Sequence, residues 1–106
     1  MSMKTYPLYQ NKKLFAFEIN NTFIRLKKIS NLLNSVSDVT NIKVRKIFQN
    51  SSPDVHIEFK YKHHEYIILE PYGDSSIYWI GPSDENIHED ISDIERVFFF
   101  SPWYHF

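Results

Sequence analysis

Cysteine is absent from the 106 residues, so the chain carries no disulfide framework, no thiolate nucleophile and no cysteine-based zinc site. Glycine is nearly absent. With only Gly73 and Gly81, a loop that cradles phosphate through close backbone approach is hard to build. No P-loop, dinucleotide fingerprint, HExxH or nucleophile-elbow pattern occurs, which argues against a nucleotide-dependent enzyme. No apolar run approaches the ~18 residues of a membrane span. The opening MSMKTYPLYQ also lacks the apolar stretch of a signal peptide, so a cytoplasmic location is the expectation.

What is present is apolar and aromatic in quantity: 42% of residues are hydrophobic and 17% are Phe, Trp or Tyr. That content and length predict one domain over 1–106, large enough to bury its own core. The net charge of −1 conceals a split. Residues 1–64 carry eleven Lys and Arg against four acids, a surplus of +7, and residues 65–106 carry one Arg against nine acids, −8. Such asymmetry either marks a charged partner or is cancelled by pairing across strands.

The organising stretch is Glu65 to Pro82, EYIILEPYGDSSIYWIGP. Tyr66 to Leu69 and Ile77 to Ile80 read as strands, with turn chemistry from Pro71 to Ser76 between them. Gly73 is the candidate for a positive φ in that turn. Upstream, Thr5 to Gln10 and Lys13 to Ile19 flank Asn11-Lys12 as a first hairpin, with Phe15, Phe17 and Ile19 alternating toward the core. Asn20-Asn21 predicts a second hairpin into a strand over Thr22 to Leu26, the rival being a helix capped by Asn21. Ile29, Leu32, Leu33 and Val36 form a helical stripe within Lys27 to Val36. Asn41 to Phe48 and Val55 to Tyr61 read as strands, the second with Val55, Ile57, Phe59 and Tyr61 inward and His56, Glu58 and Lys60 outward. With the central hairpin they make a four-strand meander.

Near the C-terminus, Ile87, Ile91, Ile94 and Phe98 trace a second helix, opened by a Ser92–Glu95 capping box or by Asp90, and ended by Pro102. The expected fold is α+β: a mainly antiparallel sheet of about six or seven strands with two helices, in ββ(β)α-ββββ-α order. The aromatic tail FFFSPWYHF is expected to dock on the sheet in part.

Three functional readings compete. The first is a small protein-binding or inhibitor module, of the immunity type that neutralises a basic, nuclease-like toxin. Its surface would be Glu70, Tyr72, Asp74, Trp79, Asp84 and Glu85, where carboxylates steer a basic partner and aromatics anchor it. That reading expects no catalysis, no cofactor, no membrane and no metal, with oligomeric state open. The second is a small nuclease-like enzyme using His56 and Glu58, which share a strand face two residues apart. The third is nucleic-acid binding through Lys43, Arg45 and Lys46. The remaining histidines, His63, His64, His88 and His105, are scattered and expected to be solvated.

Overall fold

The computed structural model describes residues 4–20, 26–44, 55–70 and 77–100. Six strands and two helices follow in the order β1 (Thr5–Gln10), β2 (Lys13–Asn20), α1 (Leu26–Asn34), β3 (Val39–Val44), β4 (Val55–Tyr61), β5 (His64–Leu69), β6 (Ile77–Pro82) and α2 (Ile91–Phe99). The strands form one antiparallel sheet in the order β1-β2-β6-β5-β4-β3. The α+β architecture read from the sequence is therefore observed, with its central hairpin, β5 and β6, in the middle of the sheet. The predicted strand over 22–26 and the turn carrying Gly73 lie outside the described residues, apart from Leu26, which opens α1.

Local chemistry explains the turns. Asn11 and Lys12 both take positive φ, 53° and 65°, the pair of left-handed conformations that a two-residue hairpin turn requires and that Asn tolerates well. Lys62, at φ 56°, turns β4 back into β5 so that Tyr61 stands opposite His64. No glycine serves either turn.

One face of the sheet is covered and holds the core. Phe17 and Ile19 of β2, Ile57 and Phe59 of β4, Tyr66 and Ile68 of β5, and Tyr78 and Ile80 of β6 join Ile29 and Leu33 of α1 and Ile91, Ile94 and Phe98 of α2 in a single buried cluster. Complete burial of each such side chain is worth about 1.5–3 kcal/mol in removed apolar surface. The helical stripes predicted around Leu33 and Ile94 are thus inward-facing, although Ile87 falls in the loop before α2.

Among the described strands the register shifts in three places: between Thr40 and Lys43 of β3, and at two bulges, in β2 and in β4. Between Leu8↔Ala16 and Tyr9↔Leu14 the register skips Phe15. An extra residue in one strand re-aims its side chain. Phe15 accordingly leaves the face of Phe17 and Ile19 and packs edge-on to Trp79, centroids 6.0 Å apart. Trp79 itself alternates with the buried Tyr78 and Ile80, so both rings belong to the opposite face. The expectation that Phe15 joins the core stripe is corrected on this point. The second bulge lies between Val55 and Ile57, where the register to β5 skips His56.

Candidate functional site

At the end of the sheet where β4 turns into β5, alternation sends Tyr61, His64 and Tyr66 to the helix-covered side. The chain that leaves β6 passes over this end: Ser83 N–H donates to the Glu65 carbonyl at 3.0 Å. A carboxylate oxygen of Asp84 then accepts from the Asn86 amide at 3.0 Å, the local bond by which Asp organises a turn. Four residues past Asp84 comes His88, and two further comes Asp90, at the N-cap of α2.

These turns deliver two histidines to one place. The imidazoles of His64 and His88 lie face to face, centroids 3.7 Å apart and planes 15° from parallel. His64 Nδ1 is 2.9 Å from Asp90 Oδ2. His88 Nε2 faces both oxygens of Asp84, at 3.0 and 3.1 Å. Because a carboxylate oxygen only accepts, the ring nitrogens facing it carry the protons, which leaves His64 Nε2 and His88 Nδ1 as the nitrogens open to other work. The Tyr66 hydroxyl donates to the second oxygen of Asp90, and the Tyr66 ring meets His88 edge-on at 6.3 Å.

A third carboxylate completes the end of the sheet. Asp93 accepts from the Tyr61 hydroxyl at 3.1 Å, from Lys62 Nζ at 3.4 Å and from Arg96 Nη2 at 2.7 Å. An open groove of about 620 Å3 runs between α2 and the β4–β5 turn, lined among others by Lys62, His64, His88, Asp90 and Asp93, with Ile87 as an apolar wall. That volume is within the ~300–1,000 Å3 range of small-molecule sites.

The electrostatics follow from these contacts. The Asn86 amide, then His88, hold the Asp84 carboxyl below its ordinary range. Burial pushes Asp93 upward, but the hydroxyl of Tyr61 and the cations of Lys62 and Arg96 outweigh it and leave it lowered. Burial, reinforced by the bond to Asp90, raises the Tyr66 phenol. It therefore remains a donor. Among the described residues, no group of three or more His, Asp or Glu side chains has an arrangement that holds a metal ion.

His56 has a different fate from the one its sequence spacing implies. The bulge rotates it onto the covered side, where its ring meets the buried Tyr78 at 6.0 Å and its Nε2 lies 2.7 Å from Glu70 Oε1. Glu58, in register with Ile67 and Lys43, stays on the other face. The His56–Glu58 pairing is therefore corrected to His56–Glu70. This pair stands at the start of β4 and the end of β5, the opposite end of the sheet from His64.

The residues proposed for a docking surface are scattered in the same way. Glu70 binds His56, Asp84 belongs to the histidine site, Trp79 lies beside Phe15 on the uncovered face, and Glu85 is exposed in the loop after β6 at φ 61°. Tyr72 and Asp74 lie outside the described residues, as do Arg45, Lys46 and His105. Lys43 is in register with Glu58 across β3 and β4, which sets opposite charges on adjacent strands.

The expectation that the chain is not an enzyme is overturned by this geometry. The His56–Glu70, His64–Asp90 and Tyr61–Asp93 pairs are partly buried charged arrangements consistent with a catalytic site. Two of the histidines expected to be solvated, His64 and His88, are instead oriented by carboxylates. The signal that sequence reading passes over is the i,i+4 spacing of Asp84 and His88; Asp90 reads in the sequence only as a helix cap, and neither feature reveals a partner elsewhere in the chain. No protein-family model matches this chain, and comparison with curated proteins and with solved structures gave no match either.

Proposed function

We propose that the protein is a small acid–base enzyme in which His64 and His88 divide the proton transfers of hydrolysis or group transfer at an ester or phosphodiester. The observation that carries this reading is the stacked pair itself: two imidazoles in one groove, each fixed by its own aspartate. In such a step, Nε2 of His64 takes the proton of the attacking water or hydroxyl as its oxygen bonds to carbon or phosphorus. His88, entering the step with protons on both ring nitrogens, gives the one on Nδ1 to the departing oxygen as the old bond breaks. Proton transfer by positioned groups of this kind contributes about 10²–10⁴-fold in rate.

The charge of the groove narrows the substrate. Lys62 and Arg96 are both engaged by Asp93, while Asp84, Glu89 and Asp90 add further carboxylates around the same site. A long polyanion meets net repulsion there. The enzymatic reading therefore moves from a nuclease-like protein using His56 and Glu58 to a small-substrate enzyme using His64 and His88.

The test is a panel of p-nitrophenyl acetate, bis(p-nitrophenyl) phosphate and single-stranded RNA. Turnover of a small ester or diester is expected, reduced about 10²–10⁴-fold by His64→Ala or His88→Ala. Single variants as active as the parent on every substrate turned over would sink the reading.

A further inference from the structure

We propose that Tyr66 is a positioning residue for His64: by donating its hydroxyl to one oxygen of Asp90 it commits the other to His64 Nδ1 and keeps the Nε2 lone pair open to substrate. This rests on the acid–base reading above.

Three observations lead to it. Asp90 occupies the N-cap of α2, yet its side chain makes no cap bond and its backbone sits in the helical region at φ −72°, ψ −6°. A capping aspartate normally accepts from the first free amides of the helix, worth about 1 kcal/mol. Here both oxygens are turned away, one to His64 and one to Tyr66. A local rule broken without local gain is the mark of a residue committed to a site.

The second observation is the rigidity of Tyr66. It is completely buried, its ring stacks on Phe59 at 5.7 Å, and its plane stands 83° to that of His88. A ring so packed presents its hydroxyl at one place. The third is chemical: burial and the bond to Asp90 raise the phenol, so the hydroxyl stays a donor and the carboxylate cannot rotate without losing it. A fixed carboxylate fixes which imidazole nitrogen carries the proton.

Asp90→Asn separates positioning from mere packing. If Tyr66 holds the group, its hydroxyl keeps the amide oxygen, and the asparagine NH₂ is left facing His64 Nδ1. The His64 proton then moves to Nε2. If Tyr66 does not hold it, the amide turns its oxygen to Nδ1–H and the tautomer is unchanged.

The experiment is long-range ¹H–¹⁵N correlation on the full, ¹⁵N-labelled chain. The parent is expected to show His64 as the Nδ1–H tautomer, Asp90→Asn to invert it, and Tyr66→Phe to shift it partly, with His88 unmoved in all three. On a substrate turned over by the parent, Tyr66→Phe should lower kcat about ten- to a hundredfold with KM retained, as loss of an orienting partner does at comparable sites. Phe59→Leu, which disturbs the ring packing but not the hydroxyl, should lower stability and leave the tautomer alone.

A parent-like His64 tautomer in Asp90→Asn, or an equal shift in Phe59→Leu, would overturn the proposal. Inversion in Asp90→Asn together with full activity in His64→Ala would uphold the positioning and remove the catalytic reading instead.

Discussion

Asp90 stands at the start of α2, yet its carboxylate closes on Nδ1 of His64 at 2.9 Å, joining a helix terminus to the first residue of β5. Because the two act as one unit, their effects on rate should not add. His64→Ala is expected to lower kcat/KM about 10²–10⁴-fold, and adding Asp90→Asn to that variant should cost no more. Steady-state rates of the two single variants and the double variant decide it; additive losses would mean that Asp90 acts on substrate independently.

His56 and Glu70, at the other end of the sheet, should behave differently. Their 2.7 Å bond is partly buried, and a hydrogen bond to a charged group contributes about 1.5–3 kcal/mol. His56→Ala should therefore lower stability by roughly that amount and leave turnover in the His64 groove unchanged. Urea unfolding beside an activity assay tests this, and loss of turnover at full stability would bring His56 back as a catalytic group.

Gly81 is required for space rather than for a turn. It sits on the uncovered face beneath the Trp79 indole, and a Cβ placed on it would lie 2.7 Å from Trp79 Cζ2 and 2.8 Å from Ala16 Cβ. Gly81→Ala is expected to destabilise by about 1–3 kcal/mol, as overpacking does. In a Trp79→Leu background the penalty should shrink, because the two changes share one contact. Equal penalties in both backgrounds would place the strain in the backbone.

Stability should fall on both sides of neutrality, for different reasons. Asp84 and Asp93 are held below their ordinary values in the fold, so their contribution is present above about pH 4 and is lost as pH falls through their folded values. Tyr66 and Tyr78 are raised, first by burial. Theirs is complete below about pH 10 and is lost as pH rises. Urea midpoints against pH should show both limbs, with Asp84→Asn flattening the acid limb and Tyr78→Phe the alkaline one. An acid limb unaltered in Asp84→Asn would assign it to other carboxylates.

What the sequence by itself determined was set by short-range physics. Alternation in Ile57 to Tyr61 and the stripe of Ile29 and Leu33 fixed which sides are apolar, and hence two helices packed against an antiparallel sheet. Asn11-Lys12 specified its hairpin because Asn accepts the left-handed backbone that the turn demands. Only the tertiary structure decided the rest. A bulge shifts the face of a side chain by one residue without any marker in composition, so Phe15 and His56 end on faces their parity did not predict. The site is likewise a matter of assembly. His64, His88, Asp84 and Asp90 come from a strand, a loop and a helix terminus, and their meeting depends on β6 lying beside β5 and on the loop crossing back over Glu65. Charge and residue type are local properties; which carboxylate reaches which imidazole is set by packing over the whole sheet.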